Sequence, residues 1–278
     1  MISMKSYFFL PASRLGKLQD IKTSTPDEII IDFEDAILNS QLDSYFEELK
    51  KVDNIASYWF RIPLRNAFND TINFKYIKNF KEIGVKLMVL PKIKSADELV
   101  KIVQKFKNIS YILLIEHPRL LIEIKDAFIR HPNILESIQG VGMGSHDLMT
   151  FLNAKHTIEQ LDYPRKEVLY LAKAYNLKAI DIASMDIFNK DSFIEEVNYA
   201  EDNGYDGKFI IHPKQLEWFK EELGEDKELF KWAENVLSHI PKNYNGESIE
   251  PFILNEEVIE KPHVLRALDI IRNKNYGK

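Results

Sequence analysis

The sequence predicts an α/β protein, a (β/α)8 TIM barrel with a C-terminal helical extension. Three observations carry this. Eight short apolar runs recur through residues 1–223, most of them rich in the β-branched and aromatic residues that strands prefer. Stretches of helical spacing separate them. Strand and helix alternating eight times favours a closed parallel barrel. The competitor is an open doubly wound sheet, but its nucleotide fingerprint is absent. Gly140-x-Gly142-x-Gly144 has the wrong spacing and falls on the sixth strand rather than the first.

Taken in order, the first run, 7–10, leads into a short, weak helix at 14–22. Run 28–33 precedes a helix at 41–53, and run 58–62 a helix at 73–83 closed by Gly84. Run 86–90 precedes 95–107, where Ser95 and Glu98 have the spacing of a capping box. Run 111–115, YILLI, is apolar without a break, as a strand buried on both faces should be. A helix at 119–131 follows. Run 138–142 is followed by a helix at 164–175, whose Pro164 suits a first turn. Run 179–182 precedes 190–203, ended by Gly204, and run 207–211 precedes 213–223, opened by Pro213. After Gly224 the pattern changes to a helix at 227–239, a loop at 240–255 and a helix at 261–273. The expected division is a barrel at 1–223 and an extension at 224–278 that serves subunit contacts.

The 278 residues carry a net charge of −6, with Lys and Arg dispersed rather than blocked. That argues against nucleic acid or an anionic membrane as the main partner. Cysteine is absent, which removes disulfides, thiolate metal sites and a Cys nucleophile. The apolar run at 7–10 is too short for a signal-peptide core, and no run reaches membrane-spanning length. A cytoplasmic location is expected.

In such barrels chemistry collects at the C-terminal ends of the strands. Read in order, those ends offer Pro11, Ser13 and Arg14, then Asp32, Glu34 and Asp35, then Arg61, Lys92, Glu116, Asp147, Asp181 and His212. Glu116 closes the unbroken apolar run, where a carboxylate is costly unless paired or metal-bound. Asp147 follows the next strand. The two are expected to hold one divalent cation. Oxygen donors without thiolate suit Mg²⁺, with Mn²⁺ as the alternative. Arg61, after Phe60, can grip a substrate carboxylate through two parallel hydrogen bonds. Arg61 and Asp35 are the catalytic candidates of the barrel. Arg14, Glu34, Lys92 and Ser145 join Arg61 as candidate substrate-binding residues.

Each has a structural alternative. Glu116 could pair with Lys92, Asp147 could cap a helix beginning at Leu148, and Arg61 could simply neutralise the acids at 32–35. Asp181 and His212 fit structural roles better than catalytic ones. His117 and His146 flank the two acids, but strand alternation turns His117 away from Glu116.

The motifs together resemble the HpcH/HpaI aldolase and citrate lyase β-subunit-like family over nearly the whole chain. SYFFLPASR is similar to its opening strand and P-G-S-R turn, IIIDFEDAI to its D-L-E-D-A-V segment, and FRIP to its arginine strand. VLPKIKSADEL, LLIEHP and GMGSHDL follow in the family's order. So does the specific Gly204-Tyr205-Asp206-Gly207-Lys208 with Ile211-His212-Pro213-Lys214-Gln215. The resemblance implies a TIM barrel assembling as a homotrimer or hexamer, with Mg²⁺ on Glu116 and Asp147 and the keto-acid carboxylate on Arg61. It implies reversible cleavage of a citryl-, malyl- or citramalyl-like 3-hydroxyacyl-CoA to an acyl-CoA and a 2-keto acid, with the CoA thioester as substrate rather than bound cofactor. Glu260 stands where the family's tail carries an Asp that can act as acid or base across a subunit boundary. Ala12 replaces a glycine of the first turn, and His117-Pro118-Arg119 replaces small residues after Glu116. Two further readings stand beside this one: a metal-dependent 2-keto acid aldolase without CoA, and a non-catalytic keto-acid-binding homologue.

Overall fold

A computed structural model describes residues 4–34, 42–66, 69–223, 227–241, 244 and 249–276. Eight parallel strands close into one barrel in sequence order. They are β1 (Lys5–Pro11), β2 (Glu28–Asp32), β3 (Trp59–Arg61), β4 (Leu87–Leu90), β5 (Ser110–Ile115), β6 (Ile138–Met143), β7 (Lys178–Asp181) and β8 (Gly207–Ile210). The helices between them are α1 (Leu18–Thr23), α2 (Leu42–Leu49), α3 (Phe74–Glu82), α4 (Ala96–Lys105), α5 (Pro118–Arg130), α6 (Ser145–Leu152), α7 (Ile158–Ala174) and α8 (Lys190–Asn203), with α9 (Pro213–Glu222) after β8.

Strand alternation divides the core into two layers. Tyr7, Phe9, Ile30, Trp59, Val89, Ile112, Leu114, Ile180 and Phe209 pack together inside the barrel. Phe8, Leu10, Ile29, Ile31 and Phe60 alternate with them along the same strands and are also buried. The aromatic rings inside need room. A Cβ on Gly142 would stand 2.5 Å from the Phe209 ring, so only glycine fits that strand position.

The local signals act as their chemistry requires. Ser95 caps α4, accepting from the Glu98 N–H at 3.4 Å. Gly84 and Gly204 take φ of +97° and +84°, the left-handed geometry that ends α3 and α8. Pro164 departs from its expected place: it lies inside α7, which begins at Ile158. A proline tolerated one or two turns into a helix costs one backbone hydrogen bond, and the segment before it lacked a strong apolar period. α6 begins at Ser145, three residues before the helix start at Leu148 that the sequence suggests.

Contacts divide the chain into two compact units, the barrel at Lys5–Trp218 and a second unit built from Phe219 onward. The second unit holds α10 (Lys227–Ser238), a hairpin of β9 (Phe252–Leu254) and β10 (Glu257–Ile259), and α11 (Lys261–Tyr276). Its own core joins Ala233, Val236, Ile259, Val264, Ala267 and Ile270. The hairpin corrects the expected loop at 240–255. Asn255 and Glu256 both have positive φ, +49° and +69°, which closes a two-residue turn. Glu256 in the usual glycine position hid that turn from a sequence reading.

Candidate active site at the barrel mouth

Register sets the first tier of the site. Pro11 pairs with Asp32, and Asp32 with Arg61, so three strand ends finish at one level. A cavity of about 290 Å³ opens there, lined by Phe9, Pro11, Asp32, Arg61, Leu114, Glu116, Met143, Ser145, His146, Asp147, Phe209 and Ile211 among others.

Arg61 is held firmly. Its Nε and Nη2 donate to the two Asp32 oxygens at 2.7 Å each, and Nη1 lies 3.3 Å from Glu34 Oε2. The guanidinium carbon sits 5.0 Å from the centre of the Phe9 ring. The pairing with the acids of the second strand is therefore real, and it fixes the guanidinium plane against the cavity that Arg61 lines.

Lys92 works twice. Its φ of +53° is left-handed, uncommon outside glycine. That turn points its N–H at Glu116 Oε2, 2.5 Å away, while its ammonium pairs with Glu34. Glu116 is 5 % exposed. Burial pushes its carboxyl up to about 8, helped by the charges of Glu34 and Asp147 and opposed by the Lys92 N–H and Arg61. Gly144 makes room for it: a Cβ there would lie 2.3 Å from Glu116 Oε1. Asp147 is the third residue of α6 and Gly144 its N-cap, so Asp147 does not cap the helix.

The mouth thus gathers four acids, Asp32, Glu34, Glu116 and Asp147, around two cations, Arg61 and Lys92. Among the described residues no three His, Cys, Asp or Glu side chains converge as a closed metal cage. A pair of carboxylates beside an open cavity fits a hard divalent ion that keeps water or substrate in its remaining positions. The residues present therefore fit Mg²⁺.

The other expected residues fall elsewhere. Arg14 lies in a neighbouring hollow of about 310 Å³ with Lys17, and this hollow shares Phe9, Pro11 and Ile211 with the first. Asp35 lies outside the described residues. Glu260 belongs to the second unit, between β10 and α11, where its N–H donates to His263 Nδ1 at 3.0 Å. His117 caps α5 by accepting from the Arg119 N–H, and His212 accepts likewise from Lys214. Asp181 is buried between Arg165 and Lys208.

One group escaped the sequence reading. His156, in the connection after α6, places Nε2 2.9 Å from Ser145 Oγ, and its ring stacks on that of His146 with centroids 3.8 Å apart. Nothing periodic marks His156. Only its spacing of eleven residues from Ser145 across a short helix could have hinted at the contact.

Residues 5–213 match the model of the HpcH/HpaI aldolase/citrate lyase family. The chain is 23 % identical to the citrate lyase subunit beta of Leuconostoc mesenteroides subsp. cremoris, over 98 % of this chain and 93 % of that protein. It is 23 % identical to the mitochondrial citramalyl-CoA lyase of Homo sapiens, over 97 % and 85 % respectively. Its fold is that of CitE from Mycobacterium tuberculosis, solved in complex with magnesium, acetoacetate and coenzyme A. The TM-score is 0.78 at 20 % identity, covering 98 % of each chain.

Proposed function

The chain belongs to the HpcH/HpaI aldolase/citrate lyase family, and from that premise we propose that it is a Mg²⁺-dependent carbon–carbon lyase or synthase. Its substrate would be a 3-hydroxyacyl-CoA of the citryl, malyl or citramalyl kind, cleaved reversibly to an acyl-CoA and a 2-keto acid. The carrying observation is the placement of Glu116 and Asp147 after adjacent strands, around the same cavity as Arg61.

Glu116 and Asp147 are the residues that would hold the ion. When bound, Mg²⁺ supplies Lewis-acid polarisation of the substrate oxygen that becomes the ketone. Arg61, its plane fixed by Asp32, anchors the carboxylate of the hydroxy acid. Leu114, Met143, Phe209 and Ile211 wall the cavity with apolar surface and keep water from the reacting carbon. The adjoining hollow, with Arg14 and the Lys17–Asp20 ion pair beside Phe9 and Pro11, offers Arg14 as a cation for the phosphate-bearing remainder of an acyl thioester. The resemblance implies that Glu260 would offer, across a subunit boundary, a carboxyl that serves as general acid or base. A homotrimer or hexamer is the assembly to look for by light scattering.

The test is a calorimetric titration of oxaloacetate, glyoxylate and pyruvate into metal-stripped protein, with and without Mg²⁺. Mg²⁺-dependent binding of one keto acid, lost in Arg61→Ala, followed by release of that keto acid from its CoA ester, is the expected result. Absence of binding in both conditions overturns the proposal. Turnover of pyruvate with aldehydes, and of no CoA ester, would replace it with the CoA-independent aldolase.

A further inference from the structure

Cleavage of a 3-hydroxyacyl thioester needs a group that takes the proton of the hydroxyl. The cavity supplies few. Both Asp32 oxygens are bound by Arg61. Glu116 and Asp147 are the ligands assigned to the cation. Among the described residues, the polar cavity-lining groups outside those roles are His146 and the buried Ser145. Ser145 has an imidazole behind it: His156 Nε2 stands 2.9 Å from its Oγ.

We propose that Ser145 is a catalytic residue of the cleavage and that His156 acts through it, the pair forming a two-step relay for the hydroxyl proton. The inference rests on the carbon–carbon lyase reading above.

The local structure fits that task. Ser145 opens α6 directly after β6, two residues from Asp147, so its hydroxyl belongs to the same wall as the ion site. A substrate oxygen held at that site is the atom whose proton must leave. The His146 ring stacks nearly parallel on His156, with 10° between the planes, and fixes the ring behind Ser145. Burial and the neighbouring His146 hold the His156 imidazole below its usual range, which favours the neutral ring; its Nδ1–H tautomer leaves Nε2 to accept from Ser145. The other charged groups that act on it are Glu196 and Arg165.

The step balances. The substrate O–H bond breaks as its proton passes to Ser145 Oγ, and the Ser145 proton passes to His156 Nε2. The carbon–carbon bond breaks, and its electron pair leaves on the acyl fragment as the thioester enolate. The hydroxyl carbon becomes the ketone. The enolate carbon then takes a proton from a carboxyl group or water, and His156 returns its own to solvent. No oxidant or further reactant is needed. In the synthetic direction the relay runs backwards and delivers the proton to the new hydroxyl.

The experiment compares wild type, His156→Gln, His156→Gly and Glu260→Gln as Mg²⁺-loaded full chains. For each, keto-acid release from the CoA esters is followed, with calorimetric keto-acid binding alongside. Loss of about a hundredfold or more in kcat is expected for both His156 variants, with Mg²⁺-dependent keto-acid binding retained. Free imidazole should restore part of the His156→Gly rate, which a packing role for the ring would not predict. Unchanged kcat in His156→Gln overturns the relay, as does a loss that comes with lost keto-acid binding or resists imidazole. Loss in Glu260→Gln alone, with both His156 variants at the wild-type rate, overturns the relay. Wild-type protein that neither binds a keto acid nor cleaves any ester defeats the lyase reading itself, and the relay with it.

Discussion

Two charge clusters sit on the same barrel and are built on opposite plans. Around β7 and β8, Arg165 grips Asp181 through Nε and Nη2 at 3.0 and 2.8 Å. Lys208 donates to Asp181, to the Ile182 carbonyl and to Glu196 at 2.9–3.2 Å. Arg165 and Lys208 are 2 % and 0 % exposed, and the Arg165 guanidinium lies 3.8 Å from the Tyr199 ring centre. Two cations meet two acids, and the cluster is closed. At the mouth, two cations meet four acids, and the cluster borders a cavity. The closed cluster has its counter-charges inside the fold. The open one has room for a counter-charge from outside, which is why the acids at β5 and β6 read as a cation site and Asp181 does not.

The sharpest way to break this contrast is Asp181→Asn, which leaves Arg165 and Lys208 buried without the carboxylate they share. Stability should fall by about 3–5 kcal/mol in urea unfolding. A loss below about 1 kcal/mol would mean the closed network is solvated in practice. Glu116→Gln should do the reverse in metal-stripped protein. Because the folded state raises this carboxyl to about 8, its contribution is full below the ordinary carboxylate range and is lost as pH climbs through 8. Wild-type stability should therefore decline up to about pH 8 and then level off. The variant should escape the decline and end about 2–4 kcal/mol ahead, while losing Mg²⁺ binding and turnover. Coincident pH–stability curves for the two proteins would remove the mouth's electrostatic strain from the account.

Gly144→Ala tests the same carboxylate by geometry. The added Cβ would lie 2.3–2.7 Å from three Glu116 atoms and must displace it. Mg²⁺ affinity should drop roughly ten- to a hundredfold, as when a ligand's support is disturbed, with the barrel still folded by circular dichroism. Unchanged affinity would show that Glu116 has other places to go.

These effects differ in how far the sequence announces them. The eight strands were legible because each buried run stands between helical stretches, and the glycine stops at 84 and 204 have one physical reading. Glu116, Asp147, Arg61 and Ser145 could be named because strand ends in a barrel converge, and the structure does set them around one cavity. What joins them was not legible. The Arg61–Asp32 pair depends on strand register, and the Lys92–Glu116 hydrogen bond on a backbone torsion that no side chain announces. His156 reaches Ser145 only through the path of a short helix and its exit loop. The β9–β10 hairpin was missed because its turn lacks glycine. Sequence patterns report which surface a residue buries; they report poorly on bonds set by a single unusual φ.

Lys92 makes that last point testable, and with the smallest effect. Its ammonium serves Glu34, while its left-handed backbone serves Glu116. Replacing it by Ala or by Gly removes the ammonium equally, so loss of activity should be alike in both. The backbone distinguishes them. A left-handed residue with a Cβ is strained by about 1 kcal/mol or slightly more, and glycine adopts the same φ without that cost. Lys92→Gly should therefore be more stable than Lys92→Ala by about 1 kcal/mol, measured by urea denaturation with Mg²⁺ absent. An Ala variant as stable as the Gly variant would mean that the chain relaxes out of the left-handed turn once the lysine is gone. In that case the ammonium's hold on Glu34 is what keeps the N–H aimed at Glu116, and the two functions of Lys92 are one.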